Sequence, residues 1–183
     1  MLMLPRTIRL DPSDAFVFTR AAEAGEWAVT GSFLFVDADV AALTGKARAA
    51  FRAGFVGVDS LGFSTLVVVT AATASERDGA IEALAGHIHA TLGAPSREAA
   101  RAAAAEEVDF AASLCQDEPG TILAMHRTFE GGKIREQFRS LRRRDPGPGA
   151  DRLHAHARAF EFVEVEEEPG DAVDLVGLAE AKR

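Results

Sequence analysis

Two short periodic runs on either side of a Gly-Gly pair constrain this chain more than any other feature. Residues 121–129 read as one strand, Glu130-Gly131-Gly132 as a tight turn, and residues 133–141 as the returning strand. Glycine adopts the positive φ that a tight hairpin turn demands, so this spacing predicts an antiparallel hairpin.

The segments before the hairpin alternate between strand and helix signals. Thr7–Leu10 reads as a short strand closed by the turn Asp11-Pro12-Ser13-Asp14, Phe16–Thr19 as a second, and Glu26–Phe35 as a longer third. Asp37 and Asp39 are N-cap residues for a helix to about Arg52, with Val40, Leu43, Ala47, Ala50 and Phe51 near the spacing of one buried face. Gly54, Gly57 and Gly62 punctuate an irregular stretch, and Leu66-Val67-Val68-Val69 reads as an interior strand. A helix then opens at Thr73 or Ser75, with capping-box spacing from Thr73 to Glu76 and an apolar face of Ile81, Leu84, Ile88 and Leu92. Gly93 ends it, and a second, alanine-rich helix spans Arg97–Leu114 with Glu106, Glu107 and Asp109 on its wet side.

Beyond the hairpin, residues 145–158 read as a mobile loop, Phe160–Glu166 as a last strand, 173–178 as a short docked segment and 179–183 as a frayed tail. The order predicts a single α+β domain over residues 1–183, a mostly antiparallel sheet with about three helices packed on one face.

Composition removes several classes of function. At 183 residues the chain is long enough for one domain of ~150 residues with its own core. No apolar run nears the ~18 residues of a membrane span, so no membrane partner is expected. A net charge of -8 argues against a nucleic-acid partner. Cys115 is the single cysteine, and no export signal precedes the first strand, which points to the cytoplasm. The charge is also patterned. Lys133 to Arg144 holds six bases against Glu136, and Glu161 to Asp171 holds six acids. The two runs are expected to pair as antiparallel strands, a cross-strand charge ladder contributing roughly 0.2–1 kcal/mol per pair.

Motifs with known chemistry are scarce. Gly57-Val58-Asp59-Ser60-Leu61-Gly62 resembles the Asp-Ser-Leu attachment signature of acyl and peptidyl carrier proteins, but a β-branched strand follows it rather than a helix. A turn in which Asp59 or Ser60 bonds local backbone is the simpler reading. No dinucleotide fingerprint, P-loop or nucleophile elbow is present, so no cofactor is expected. Cys115 sits beside Asp117 and Glu118, which disfavour a thiolate, and reads as an idle thiol. His87 and His89 diverge on a helix and His154 and His156 lie in a loop, so no metal is expected. Acids at Glu23, Glu26, Asp37 and Asp39 are explained by turns and caps. His126 is of more interest. The hairpin places it near Arg135, Gln137 or Arg139, and a histidine and arginines on one sheet face can hold a carboxylate or phosphate.

A wider resemblance rests on Thr7-Ile8-Arg9-Leu10-Asp11, Phe16-Val17-Phe18, Gly25-Glu26-Trp27, Gly45–Phe51, Gly54-Phe55, Gly57–Ser60, His126-Arg127-Thr128 and Ile134–Arg139. At these positions the chain resembles a small bacterial domain family of unknown function, over nearly its whole length. The resemblance implies an accessory or assembly role beside redox or cofactor-dependent enzymes and carries over no catalytic residue.

The residues therefore read as a non-catalytic accessory or binding protein. A homodimer is expected from an exposed hairpin or sheet edge, and a protein partner is open. Two alternatives stand. One is a small-molecule enzyme whose site draws on Asp59, Ser60, His126, Arg127, Arg135 and Arg139. The other is an interaction module using an Arg142–Arg144 basic patch.

Overall fold

The hairpin sits at the centre of a five-stranded antiparallel sheet. The computed structural model describes residues 1–10, 12–143 and 162–165. The large sheet has the order β1-β5-β6-β7-β8, formed by β1 (Met3–Ile8), β5 (Leu66–Ala71), β6 (Ile122–Glu130), β7 (Lys133–Arg143) and β8 (Phe162–Val165). A small antiparallel sheet, β2-β3-β4, is built from β2 (Ala28–Val29), β3 (Phe55–Gly57) and β4 (Phe63–Ser64). Four α-helices complete the described chain: α1 (Ser13–Val17), α2 (Gly45–Ala53), α3 (Ala74–Thr91) and α4 (Arg97–Ser113). The class is α+β, with three helices longer than one turn or two.

The hairpin register runs from Ile122↔Leu141 to Glu130↔Lys133 around Gly131 and Gly132, whose φ values are +59° and +79°. Side chains alternate along each strand, so the register fixes two faces. Leu123, Met125 and Arg127 with Glu136, Phe138 and Ser140 form the inner one. Ile122, Ala124, His126 and Thr128 with Arg135, Gln137 and Arg139 form the other. None of these outer side chains is fully buried.

The inner layer is divided by the small sheet. Phe55 and Ala28 join Val67, Val69, Leu123, Met125 and Cys115 against the large sheet. Val29 and Val56 point the other way, into a cluster with Ile81, Leu84 and Ile88 of α3 and Ala100, Ala104, Val108 and Ala111 of α4. A third cluster collects Phe18, Phe35, Ala50 and Phe51 beside the hairpin. Burying each Val, Leu, Ile, Phe or Met side chain in these clusters contributes roughly 1.5–3 kcal/mol, and each alanine less.

Helix α3 starts as its sequence predicts. Thr73 Oγ1 accepts from Glu76 N and the Glu76 carboxylate accepts from Thr73 N, a complete capping box. Elsewhere tertiary demands override local pattern. Of the residues expected to form a second strand at 16–19, Phe16 and Val17 instead end helix α1 and Phe18 caps it, because Asp14 turns inward. Its carboxylate accepts from Thr65 N, Thr65 Oγ1 and Ser64 Oγ. The strand expected over Glu26–Phe35 stops after Val29. Gly31 takes a left-handed φ of +83°, a Cβ there would overlap Val56, and a 3-10 turn over Ser32–Phe35 follows. That turn sets Phe35 edge-on to Phe51 at 5.3 Å. The helix expected from Asp37 to Arg52 divides into a 3-10 turn, Val40–Ala42, capped by Asp39, and α2, separated by Leu43 and Thr44, with Gly45 opening α2 at φ +54°. The irregular stretch 54–64 contains β3 and β4.

The basic and acidic runs do pair, as β7 and β8, with Arg142 opposite Val163 and Leu141 opposite Glu164. The register sets Glu164 one step away from Arg142, so the expected ladder of directly opposed charges is not formed at these positions. Arg142 pairs instead with Asp117, at 2.9 Å. The hairpin is also no edge: β5 flanks one side and β8 the other. The hairpin therefore drops out of the argument for a homodimer, and the edges of this sheet are β1 and β8. The expected loop at 145–158, the docked segment at 173–178 and the tail at 179–183 lie outside the described residues, as do His154, His156 and Arg144. Among the described residues no helix is long and apolar enough to cross a membrane.

Candidate functional site

The six candidate residues divide into three environments. The first is the turn that carries Asp59 and Ser60. Glu26 is buried, and its carboxylate accepts from Glu23 N, Asp59 N and Ser60 N at 2.7, 3.1 and 2.9 Å. Ser60 Oγ accepts from Gly62 N at 2.9 Å, and the Asp59 carbonyl lies 2.8 Å from His87 Nε2. Gly57 is glycine for a steric reason, since a Cβ would collide with the Glu26 carboxylate. The Asp-Ser-Leu stretch is thus a clamped turn whose serine hydroxyl holds local backbone.

The second environment is the interior beside the hairpin. Arg127 is fully buried, at 0% exposure. Parity along β6 puts it on the face of Leu123 and Met125, so its guanidinium must find every partner inside the protein. Nε donates to Glu136 Oε1 at 3.0 Å, Nη1 to the Phe51 carbonyl at 2.6 Å, and Nη2 to the Thr30 carbonyl at 2.6 Å. The rings of Phe35 and Phe51 lie 5.4 and 5.7 Å from its central carbon. Burial pulls its pKa below the ordinary value, opposed by the charges of Glu136 and Glu107. Glu136, 7% exposed, also accepts from Ser32 Oγ through Oε1, while its Oε2 is buried with no partner.

Glu107 belongs to the same cluster. Desolvation first, and repulsion from Glu136 second, push its pKa up to about 7. The expectation of a wet position fails because 107 falls at i+3 from Ala104 and i-4 from Ala111, both buried. The signals for Glu107 and Glu136 were present: helical spacing for one, and the lone acid in a basic run, on the parity of Ile134 and Phe138, for the other.

The third environment is the outer face. An open hollow of about 280 Å³ is lined by Ala124, Met125, His126 and Arg139. The register explains it. Arg139 lies opposite Ala124 and His126 opposite Gln137. Ala124 contributes only a methyl group, so room is left between the longer side chains. His126 and Arg139 are therefore brought together, as hairpin geometry suggests. Arg135 is drawn toward the turn, 3.9 Å from Glu130, and does not line the hollow; neither does Asp59 or Ser60. Arg127, next in sequence to His126, faces away from it.

Two other features are settled by burial. Cys115 is buried, and desolvation pushes its thiol pKa up to about 12, which removes it as a nucleophile near neutral pH. Among the described residues no three His, Cys, Asp or Glu side chains cluster to hold a metal.

No curated protein and no solved structure matches the chain. The model of a family of unknown function, DUF6505, matches residues 1–161 of the 183. The chain, from its clamped turn to the hairpin that separates His126 from Arg127, belongs to the DUF6505 family.

Proposed function

We propose that this protein is a non-catalytic binding protein that holds a small oxyanion, a carboxylate or phosphate group, on the outer face of its hairpin. The observation that carries the reading is the hollow that joins His126 and Arg139. A guanidinium and an imidazole offer several N–H donors in a small space, the donor set that oxyanions take. The volume of about 280 Å³ falls just under the ~300–1,000 Å³ of drug-sized pockets, so the group held is small or belongs to a ligand that protrudes.

The rest of the polar inventory supports binding over catalysis. Asp14 and Glu26 spend their oxygens on backbone and hydroxyl donors, Ser60 on Gly62, and Arg127 on three interior acceptors. No activated nucleophile lines the hollow. The test is an NMR titration of the His126 ring with inorganic phosphate and with acetate, to about 10 mM, above the ~1 mM range of weak binding. Saturable shifts in the wild type that vanish in Arg139→Gln support the reading. Flat titrations with both anions overturn it.

A further inference from the structure

We propose that a protonated Glu107 carboxyl is the missing donor to the buried Oε2 of Glu136 and that this bond clasps helix α4 to strand β7. The geometry starts from the acceptor. Glu136 Oε1 already takes bonds from Arg127 Nε and Ser32 Oγ, while Oε2 is buried and has no donor. A buried carboxylate oxygen left without a donor is costly, and native proteins supply one. Glu107 is half-buried on the face of α4 that carries Ala104, Val108 and Ala111, one turn before Phe110, whose ring packs 6.2 Å from that of Phe138, two residues along β7 from Glu136 on the same face; its charge is opposed by that of Glu136. A protonated Glu107 carboxyl is one O–H donor. Placed against Oε2 it satisfies the orphan and turns two repelling carboxylates into one anion, which Arg127 balances.

The surrounding charges leave this assignment intact. On α4 the neighbour Glu106 adds to the repulsion, and from β6 Arg127 opposes it. On α3, Arg77 is taken by Asp109 and Glu82 by Arg97 and Arg101. On β1, Arg6 is paired with Glu76. Among the described residues two other buried side-chain atoms lack a partner, Arg6 Nε and Thr30 Oγ1; Thr30, whose carbonyl accepts from Arg127, is the competing donor.

The experiment is a carbon-detected NMR titration of the Glu107 carboxyl in the full chain, with hydrogen exchange of the α4 amides. The expected midpoint is near 7, falling toward the ordinary 4.5 in Glu136→Gln. Protection of the amides around Glu107, corrected for intrinsic exchange, is expected to drop about tenfold per pH unit between 4.5 and 7 and to level off above. In Glu107→Gln, whose amide donates at any pH, that slope disappears. A wild-type midpoint near 4.5 overturns the proposal and assigns Oε2 to Thr30; this holds even if neither variant folds. An unchanged slope in Glu107→Gln overturns it as well.

Discussion

His126 and Arg127 are neighbours in sequence, and the two faces of one strand give them opposite fates. The inner face converts charge into structure: Arg127 and Glu136 are shielded from water, Glu107 is half-buried, and Arg127 spends its donors on partners from three segments of the chain. The outer face leaves His126 and Arg139 beside an open hollow. An arginine-rich hairpin is thus no guide to a binding site until parity along the strand is known. What separates a binding arginine from a structural one is the face it lies on.

The largest effect expected from breaking this contrast is on the inner face. Arg127→Ala leaves Glu136 buried without its cation, and should cost about 3–5 kcal/mol in a urea titration. A double replacement, Arg127→Met with Glu136→Met, should recover most of that loss, since it removes both charges together. Failure of the double variant to recover would mean that shape, and not charge, sets the cost.

Next in size is a pH dependence. Glu107 has a folded pKa raised to about 7 against an ordinary 4.5. A raised carboxylate pKa means that the folded state holds the extra proton, so stability falls as pH rises from 4.5 to 7 and is flat above, by about 3 kcal/mol at most. Asp117, lowered by its bonds from Ser140 and Arg142, acts with the opposite sign and loses its contribution as pH falls below its unfolded value. Midpoints of unfolding at pH 5, 6, 7 and 8 in wild type and Glu107→Gln isolate the first from the second.

A third variant sharpens the role of burial itself. Arg142 lies on the same face of β7 as Glu136 and pairs with Asp117, yet it is 52% exposed. Arg142→Ala should cost about 1 kcal/mol or less, and the loss should shrink in salt. The smallest stability effects belong to the outer face. His126→Ala and Arg139→Gln should change stability by about 0.5 kcal/mol or less while abolishing phosphate shifts. A large destabilisation by either would move that residue to the structural side of the comparison.

The elements that proved readable were those whose local and tertiary signals agree. The Gly-Gly hairpin and the Thr73–Glu76 box satisfy their backbone groups nearby, so residue type sufficed; the Leu66–Val69 strand pairs with β1 and β6 far along the chain, and its unbroken β-branched run marked it as interior. The 16–52 region was misread because its conformation is dictated from afar. Asp14 answers to Thr65, Gly31 to Val56, and Phe35 to Phe51. At the site, hairpin spacing brought His126 and Arg139 together, but it also grouped Arg127 and Arg135 with them. Parity excludes Arg127, and a contact at the turn draws Arg135 away. Glu107 reads as wet because acids on an alanine-rich helix usually are, although its spacing from Ala104 and Ala111 sets it at the border of the buried face.

The reach of Arg127 has a kinetic side. The hairpin closes through a turn of a few residues, a contact that forms early because little chain must be ordered. The carbonyls that hold the guanidinium belong to Phe51 and Thr30, 76 and 97 residues away along the chain. Loop closure over such separations is expected to place those bonds after the hairpin. Their removal therefore falls chiefly on the rate of unfolding, with the rate of folding little changed. The buried arginine is a brake on the way out of the native state, and it governs how long each molecule stays folded.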